Sequence, residues 1–250
     1  MDGAEGEITG GPHRPIEVAG QSVLVTGAAQ GLGAAIARHL HGCGAHLILL
    51  DRDAEGLAET EAACPGAQSA VVDLAQAQAV ATTLGEVVTG PIDTLIHNAA
   101  ILRFEPLEAV TLETFQATLN VGIQAAFQLT RSVWPAMTSR GVTLIFVSSR
   151  SGIEGFAHEA PYCAAKHALE GFSKSLALEG QPCGILSVTV TPGMYMRTPM
   201  SEKNYPPELK EKWVDPSELA PAFSYLATRP LHLSGQRLSA WDLSQEHPAP

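Results

Sequence analysis

Positive charge and aromatic residues are both scarce in this sequence of 250 residues, and the shortage of positive charge argues against two kinds of partner. Lys and Arg together number 15 against 26 Asp and Glu, which gives a formal net charge of −11. A chain this acidic repels phosphate backbones and anionic lipid surfaces, so we expect neither nucleic acid nor a membrane as a partner. Aromatic residues are only 6% of the chain, but 45% hydrophobic residues suffice for one α/β domain with a substantial core.

Cysteine is also scarce, and its spacing argues against metal and disulfide sites. The four cysteines, Cys43, Cys64, Cys163 and Cys183, form no CxxC pair, and no Cys/His cluster has the spacing of metal ligands. Scattered cysteines in a chain of this length are typical of reduced thiols in the cytosol. We therefore expect no bound metal and a cytoplasmic location.

Long apolar runs are absent, and none of the short ones could cross a bilayer. The first 18 residues, MDGAEGEITGGPHRPIEV, are acidic and rich in Gly and Pro, which is unlike a signal peptide. We expect residues 1–17 to form a mobile N-terminal arm and residues 18–250 to form a single domain.

The chain does contain a series of short apolar runs separated by longer helical stretches. Unbroken runs of this kind are typical of strands that are buried on both faces of a parallel sheet. We therefore predict a Rossmann-like, doubly wound α/β domain with helices on both faces of the sheet. The predicted strands are residues 22–26, 46–50, 70–72, 94–96, 143–147 and 186–190.

Polar side chains follow four of the predicted strands at the point where each strand ends. These residues are Asp51, Asp73, Asn98 and Ser149. Right-handed crossovers place the carboxyl ends of parallel strands at one edge of the sheet, where open α/β sheets bind their ligands. The sequence therefore predicts a ligand site at this edge.

The segment TGAAQGLG (residues 26–33) lies between the first predicted strand and a predicted helix. Glycines allow a sharp turn and a close approach of the backbone to a ligand, and the helix N-terminus offers free N–H groups to a pyrophosphate. A tight strand-to-helix turn with no ligand would need similar residues. The acidic residue after the second strand favours the dinucleotide interpretation.

Asp51 lies eighteen positions after Gly33, at the end of the second predicted strand. A carboxylate there can accept hydrogen bonds from the ribose hydroxyls of an adenosine, and it repels a 2′-phosphate. The residue therefore favours NAD over NADP. Arg52 is the alternative signal, because its guanidinium could reach a 2′-phosphate if Asp51 turned away.

The stretch YCAAK carries a phenol, Tyr162, and an ammonium, Lys166, four residues apart. On a helix this spacing places both side chains on one face. A free Tyr has a pKa of about 10, and a nearby ammonium lowers that pKa by favouring the phenolate. The pair could therefore move the proton of a substrate hydroxyl.

Together these residues resemble the short-chain dehydrogenase/reductase family, in its short-subunit branch, from about residue 18 to about residue 238. The family's loop TGxxxGxG is present at residues 26–33, and its Tyr-x-x-x-Lys is present as Tyr162 and Lys166, with Ser149 thirteen residues before the Tyr. The other landmarks are Asn120 in a helix between the fourth and fifth strands, Asp73 after the third strand, and Pro192-Gly193 after the sixth.

The resemblance implies an NAD-dependent oxidoreductase that interconverts a secondary alcohol and a ketone by hydride transfer. It implies that Tyr162 is the general acid/base and that Ser149, rather than the neighbouring Ser148, stabilises charge on the substrate oxygen. Asn120 would bridge a water to Lys166, which would also hold the nicotinamide ribose. Cofactor contacts are implied for Gly27, Gln30, Gly31, Leu32, Gly33, Asp51, Arg52, Asp73, Leu74, Asn98, Ala99, Tyr162, Lys166, Pro192, Gly193 and Thr198.

The sequence departs from the family pattern at several places. His97 and Ala100 stand where the family usually has Asn and Gly, and Thr198 lies five residues after Gly193 instead of four. The segment SGQRLSAWDL (residues 234–243) replaces a common ending that contains Asp-Gly-Gly. These departures motivate an alternative interpretation, a catalytically silent dinucleotide-binding sensor or partner subunit with the same fold.

The segment at residues 194–214 is expected to form a lid over the nicotinamide, and its aromatic and Met side chains favour a medium-sized, largely apolar ketone or alcohol. Arg150, next to Ser149, is expected in a salt bridge or in solvent rather than on an anionic substrate. In relatives, the helices that correspond to residues 115–137 and 162–179 pair between subunits. The resemblance therefore implies a homotetramer, with a homodimer as the next possibility.

Overall fold

The computed structural model describes residues 16–137 and 141–248. The predicted N-terminal arm lies almost entirely outside the described residues, so it stays a prediction. Where the description begins, the backbone N–H of Ile16 donates to the Thr228 carbonyl at 3.2 Å. The chain is therefore already attached to the domain two residues before the predicted boundary.

Seven strands of the described chain form one parallel sheet, in the order β3-β2-β1-β4-β5-β6-β9, and two shorter strands, β7 and β8, pair separately. The prediction of a doubly wound parallel sheet is confirmed. The six predicted strands lie within two residues of their expected positions, whereas β9 was not predicted. The strands are β1 (Ser22–Thr26), β2 (His46–Asp51), β3 (Gln68–Val71), β4 (Thr94–His97), β5 (Thr143–Val147), β6 (Leu186–Thr191), β7 (Tyr195–Met196), β8 (Trp213–Val214) and β9 (Arg237–Ser239).

Helices cover both faces of the sheet, which explains why the central strands are continuous apolar runs. Successive strand residues point to opposite faces, so Val23 and Val25 pack with Ile36 and Phe223 on one side, while Leu24 packs on the other side. The helices are α1 (Gly31–Gly42), α2 (Ala54–Ala62), α3 (Ala77–Val87), α4 (Leu112–Leu119), α5 (Ala125–Met137), α6 (Ala160–Gly180), α7 (Pro199–Asn204), α8 (Pro221–Ala227) and α9 (Ala240–Glu246).

The order of the strands reverses at β1, which is flanked by β2 on one side and by β4 on the other. The register aligns Thr26 at the end of β1 with Leu50 and with His97. The carboxyl ends of these strands are therefore level, and the chain leaves β1 and β4 in opposite directions. A crevice opens at such a switch point, which positions the functional site.

The long helix predicted around residues 115–137 is present but interrupted. Between α4 and α5, residues Asn120–Gln124 form a π-helical turn, in which the backbone hydrogen bonds span one residue more than in an α-helix. Asn is a poor helix former, which agrees with its position at the start of the wider turn. None of the helices in the described part of the chain combines the length and apolar character needed to cross a bilayer.

Candidate active site

The glycine loop between β1 and α1 is packed so closely that its glycines have no room for side chains. Gly27 and Gly31 have φ values of +66° and +57°, in the left-handed region that favours glycine. A Cβ atom on Gly33 would lie 1.9 Å from the Gly27 carbonyl oxygen, and one on Gly27 would lie 2.9 Å from the Ala99 Cα. The backbone itself therefore forms the surface that a ligand would meet.

The N-terminus of α1 opens at this loop without a capping side chain. Gln30, the N-cap residue, makes no side-chain hydrogen bond to the first turn, and that turn holds no acidic residue. The N–H groups of a first helical turn lack partners within the helix and carry a partial positive charge. This cradle fits a pyrophosphate, as the sequence predicts.

The Asp51 carboxylate is held in place by three backbone N–H groups. Its Oδ2 accepts from Ala29 at 3.0 Å, and its Oδ1 accepts from Arg52 at 2.7 Å and from Asp53 at 3.0 Å. Asp51 and Arg52 both border the cleft beside the glycine loop. Because three amides fix the carboxylate, it does not swing away freely, as the Arg52 alternative would require.

Asn98 and His97, at the end of β4, tie the glycine loop to the rest of the site. The Asn98 side-chain amide donates to the carbonyls of Thr26 and Gly27 at 3.2 and 3.1 Å. The His97 ring, fully buried, contacts Thr26 Oγ1 through Nδ1 at 3.0 Å and the Gly122 carbonyl through Nε2 at 2.9 Å. His97, which departs from the family pattern, therefore joins the glycine loop to the π-helical turn.

The hydrogen bonds around Thr26 assign the tautomer of His97. Thr26 Oγ1 already accepts the backbone N–H groups of Asn98 and Ala99, so its own hydrogen points to Nδ1 of the imidazole. Nε2 then carries the proton and donates it to the Gly122 carbonyl. Burial, and after it the charge of the nearby Lys166 ammonium, lower the pKa of His97 to about 4. His97 is thus a neutral imidazole at physiological pH.

Tyr162 and Lys166 lie side by side on α6, and both border the cleft. Both side chains are buried, and the Lys166 Nζ lies 5.4 Å from the centre of the Tyr162 ring while it donates to the Val147 carbonyl at 2.6 Å. The predicted pairing on one helix face is present.

The expected lowering of the Tyr162 pKa is not what the structure gives. Burial raises the pKa of Tyr162, nearby Tyr205 raises it further, and the Ser149 hydroxyl opposes the increase. Burial also lowers the pKa of Lys166 to about 8, against the opposing effect of Glu170. The sequence shows that a cation is near the phenol but does not show how deeply both groups are buried, and burial dominates here.

The two serines after β5 have different surroundings. The Ser148 hydroxyl donates to the buried Glu170 carboxylate at 2.5 Å, whereas the Ser149 hydroxyl accepts the backbone N–H of Ser151 at 3.2 Å and lies close enough to Tyr162 to affect its pKa. Ser148 is among the residues that border the cleft, whereas Ser149 is not. The Ser149 hydroxyl also donates to the Ser151 hydroxyl, but at 3.3 Å to a neutral group, a weaker bond than the one from Ser148 to a carboxylate. Ser149 therefore stays the better candidate for a contact with substrate.

Asn120 does not contact Lys166 directly. Its side-chain amide donates to the Ala75 carbonyl at 3.3 Å, and the residue begins the π-helical turn. The turn packs against α6, because a Cβ atom on Gly122 would lie 2.7 Å from the Ala165 Cβ. The role of Asn120 in a water bridge to Lys166 stays a prediction.

Most of the predicted cofactor residues meet at one cleft, which with its open mouth holds about 1030 Å³. The predicted residues that border it are Gly27, Gln30, Gly31, Leu32, Asp51, Arg52, Leu74, Asn98, Ala99, Tyr162, Lys166, Pro192 and Thr198. The remaining predicted site residues do not border the cleft: Gly33, Asp73, Asn120, Ser149 and Gly193. Three lining residues outside the predicted contacts and the predicted lid are Val72, next to Asp73, Val121, next to Asn120, and Val147, next to Ser148.

The lid segment has more regular structure than its sequence suggests. Thr198 caps α7 by accepting the Ser201 backbone N–H at 3.1 Å, and it still borders the cleft despite its shifted position after Gly193. Met196 and Met200 line the cleft as expected, whereas Tyr195 packs edge-to-face on Tyr205. Below the lid, the backbone N–H of Trp241 donates to the Pro192 carbonyl at 3.1 Å. The C-terminal segment at residues 234–243, which departs from the family pattern, therefore supports this end of the cleft.

A parallel sheet with a glycine loop and an acidic residue at its switch point defines the class of Rossmann-like dinucleotide-binding domains. Residues 21–209 match the family model described as short chain dehydrogenase. The chain therefore belongs to the short-chain dehydrogenase/reductase family, whose members are NAD(P)-linked oxidoreductases.

Several similar proteins are named as reductases. The chain is 33% identical to L-xylulose reductase of Bos taurus over 205 residues, which cover 81% of this chain and 80% of that one. It is 32% identical to carbonyl reductase [NADPH] 2 of Sus scrofa over 195 residues, which cover 77% and 79% of the two chains. It is also 32% identical to D-erythrulose reductase of Gallus gallus over 203 residues, which cover 80% and 78%.

Solved structures of similar proteins superimpose on this chain over nearly its whole length. A putative NAD(P)-dependent gluconate 5-dehydrogenase from Beutenbergia cavernae, with NADP bound, superimposes with a TM-score of 0.82 at 28% identity and covers 91% of this chain and 99% of its own. A putative short chain dehydrogenase from Pseudomonas syringae superimposes with a TM-score of 0.80 at 31% identity, covering 91% and 97%.

Proposed function

We propose that this protein interconverts a ketone and a secondary alcohol with NAD as the hydride carrier and with Tyr162 as the general acid/base. The observation that carries the proposal is that Tyr162 and Lys166 lie side by side in the cleft onto which the glycine loop opens. A dinucleotide held by the glycine loop and Asp51 would supply the hydride for reduction and would accept it in oxidation. The remaining chemistry, orientation of the substrate and movement of one proton, belongs to side chains of this chain.

In the direction of reduction, the Tyr162 hydroxyl donates its proton to the substrate oxygen. The Ser149 hydroxyl donates a hydrogen bond to the same oxygen and stabilises the negative charge that develops there. Lys166, held by the Val147 carbonyl, stabilises the phenolate that remains. Because burial raises the pKa of Tyr162, the phenol is protonated at neutral pH and carries the proton that reduction needs. Oxidation needs the phenolate, so its rate should rise with pH.

Asp51 supports the proposed preference for NAD. Its carboxylate is fixed beside the glycine loop by three backbone amides, where it would accept from ribose hydroxyls and repel a 2′-phosphate. The named porcine relative is linked to NADPH, and the bacterial structure holds NADP. Cofactor preference is therefore the part of the proposal that needs direct measurement first.

The substrate side of the cleft favours a carbonyl compound with an apolar portion. Ile101, Met196 and Met200 line it, and each presents a flexible or branched apolar side chain. The relatives named for L-xylulose and D-erythrulose indicate that short hydroxyketones belong in the first substrate panel beside apolar ketones.

We also propose that α5 and α6 pair between subunits of a homotetramer or homodimer. Phe127 on α5 is 47% exposed and Leu178 on α6 is 75% exposed, so each helix presents a large apolar side chain to solvent in the single chain. Light scattering on the purified protein tests this directly, and a monomer at micromolar concentration contradicts it.

The deciding experiment compares NADH and NADPH binding by fluorescence titration and then measures turnover of the ketone panel. In Tyr162→Phe we expect kcat to fall by about 10²–10⁴-fold while NADH affinity is retained, since only the proton donor is removed. Tyr225→Phe is the matched control, because Tyr225 lies on α8 and stacks on His247, away from the cleft. Turnover that survives in Tyr162→Phe refutes the assignment of the acid/base, and tight NADH binding without any turnover in the wild type supports the silent sensor.

A further inference from the structure

The proposed chemistry uses Ser149 but gives no role to two buried carboxylates, those of Glu159 and Glu170, that lie near it. Residues 148–152, which we call the serine loop, connect β5 to the region before α6. Two carboxylates bind its other serines: Glu170 accepts from the Ser148 hydroxyl, and Glu159 accepts from the Ser151 hydroxyl at 2.8 Å. Both carboxylates are almost completely buried. Hydrogen bonds from its side chains therefore attach the loop to α6, the helix that carries Tyr162 and Lys166. Glu159 is the N-cap of this helix, and Glu170 lies near its middle.

Glu170 lies on α6, one turn after Lys166, and is 5% exposed. Its Oε1 accepts from the Ser148 hydroxyl, and its Oε2 accepts from the Thr189 hydroxyl at 2.7 Å. The serine loop also packs on this carboxylate through Gly152, where an added Cβ would lie 3.2 Å from Oε1. The Glu170 side chain therefore joins the serine loop and β6 to α6, the helix that carries Tyr162 and Lys166.

Arg237, on the short strand β9, completes this cluster from the other side. Its Nη2 donates to the Ser149 carbonyl at 3.2 Å, and its Nε lies 3.3 Å from Glu170 Oε1, an ion-pair distance although the N–H is not aligned for a hydrogen bond. The guanidinium thus contacts the backbone of the residue proposed to hold the substrate oxygen.

A buried carboxylate is costly unless a cation and hydrogen bonds compensate it. The Arg237 guanidinium supplies the positive charge for Glu170, and the Ser148 and Thr189 hydroxyls supply the hydrogen bonds. If either member of the ion pair is removed, the other is left without its counter-charge, and the serine loop loses part of its support. The effect of such a change should therefore concentrate at the serine loop.

We propose that Glu170 and Arg237 are positioning residues that hold the serine loop in register with Tyr162, so that β9 supports catalysis through the Ser149 backbone. Neither side chain is among the residues that border the cleft, so neither would touch the dinucleotide. Both would act through Ser148 and Ser149, and the Glu170 carboxylate also favours the charged form of Lys166. The catalytic part of this inference rests on the proposed function, whereas the mechanical part, that the pair holds the loop, does not.

The test uses Glu170→Gln, Arg237→Met and the double variant. Arg150→Met is the matched control, since Arg150 lies in the same loop and forms an ion pair with Glu154 at 2.8 Å, but both side chains are largely exposed. Hydrogen exchange, followed by mass spectrometry, reports the opening of residues 148–153, and steady-state kinetics on the full-length protein reports kcat and KM.

We expect amide exchange in the serine loop to accelerate at least tenfold in each single variant, while exchange in β1 and α1 and the affinity for NADH stay unchanged. We expect kcat to fall at least tenfold without a rise in KM for the dinucleotide. The double variant should be no slower than the worse single one, because the two residues act as one unit. Arg237→Lys should recover part of the rate, and Arg150→Met should match the wild type.

Two results overturn the inference: unchanged exchange in the serine loop, or acceleration that is equal throughout the chain and so reports only lower global stability. Faster loop exchange with an unchanged kcat overturns the catalytic part. If the wild type shows no turnover at all, the proposed function fails, and the exchange experiment alone still decides whether the pair holds the loop.

Discussion

The two walls of the cleft are built from different chemical groups. The wall formed by β1, the glycine loop and α1 is made of backbone atoms, and a Cβ on Gly33 would meet the Gly27 carbonyl at 1.9 Å. The wall formed by β5 and α6 presents two buried ionisable side chains, those of Tyr162 and Lys166. The first wall should therefore be sensitive to added atoms, and the second to lost protons and charges. The difference suggests that one wall recognises shape while the other performs chemistry.

The largest effect is expected when one methyl group is added behind the backbone wall, at Gly33, which supports the loop without bordering the cleft. In Gly33→Ala the new Cβ cannot coexist with the Gly27 carbonyl, so the loop must shift away from the position that receives a pyrophosphate. We expect NADH affinity to fall by more than about 100-fold, or about 3 kcal/mol, measured by fluorescence titration.

Gly42→Ala is the matched control for this change because Gly42 ends the same helix. A Cβ there would have no atom within 4 Å, and Ala is the better helix former, so affinity should stay unchanged and stability should stay equal or rise by up to about 1 kcal/mol. Full NADH affinity in Gly33→Ala would show that the backbone wall is not a shape-selective surface.

A smaller effect is expected from a charge change at the end of β2. In Asp51→Asn one amide replaces one carboxylate of the same shape, so acceptance from ribose hydroxyls weakens and repulsion of a 2′-phosphate disappears. We expect NADH affinity to fall about tenfold while NADPH affinity stays equal or rises. The measurement is the ratio of the two dissociation constants.

Asp53→Asn is the control for the charge change, two residues further on. Asp53 caps α2 by accepting the Gly56 N–H at 3.3 Å, and Asn caps helices about as well, so the ratio should not move. If both variants change the ratio alike, the general negative potential of this acidic chain, and not the position of Asp51, selects the cofactor.

The sequence predicts the backbone wall better than the side-chain wall. The glycine spacing and the apolar runs are local signals, so the first six sheet strands and the glycine loop follow from residue order alone. The seventh strand is missed because β9 is only three residues, RLS, and forms by pairing with β6 instead of by its own pattern.

The side-chain wall depends on contacts between segments that are far apart in sequence. The spacing of Tyr162 and Lys166 predicts that they meet, but nothing in the spacing predicts that Arg237 reaches Ser149 or that His97 reaches Gly122. The pKa of Tyr162 is the clearest case, because its direction is set by burial, which a neighbouring Lys in the sequence does not reveal.

The last prediction concerns the stability contributed by His97, which joins the end of β1 to the π-helical turn that packs against α6. Asn is the usual family residue there, but its side chain is too short to bridge Thr26 Oγ1 and the Gly122 carbonyl, so His97→Asn should lower the free energy of unfolding by about 1–2 kcal/mol.

The pKa of His97 is about 4 in the folded protein against 6.5 in an unfolded chain. Between these values the unfolded state binds more protons, so wild-type stability falls as pH falls from 6.5 to 4, by up to about 1.4 kcal/mol per pH unit from this group. Urea unfolding across that range should show a shallower pH dependence in His97→Asn than in the wild type, whereas His46→Asn, an exposed histidine at the start of β2, should retain the wild-type slope. An unchanged slope in His97→Asn would mean that the His97 imidazole is not held neutral in the folded protein.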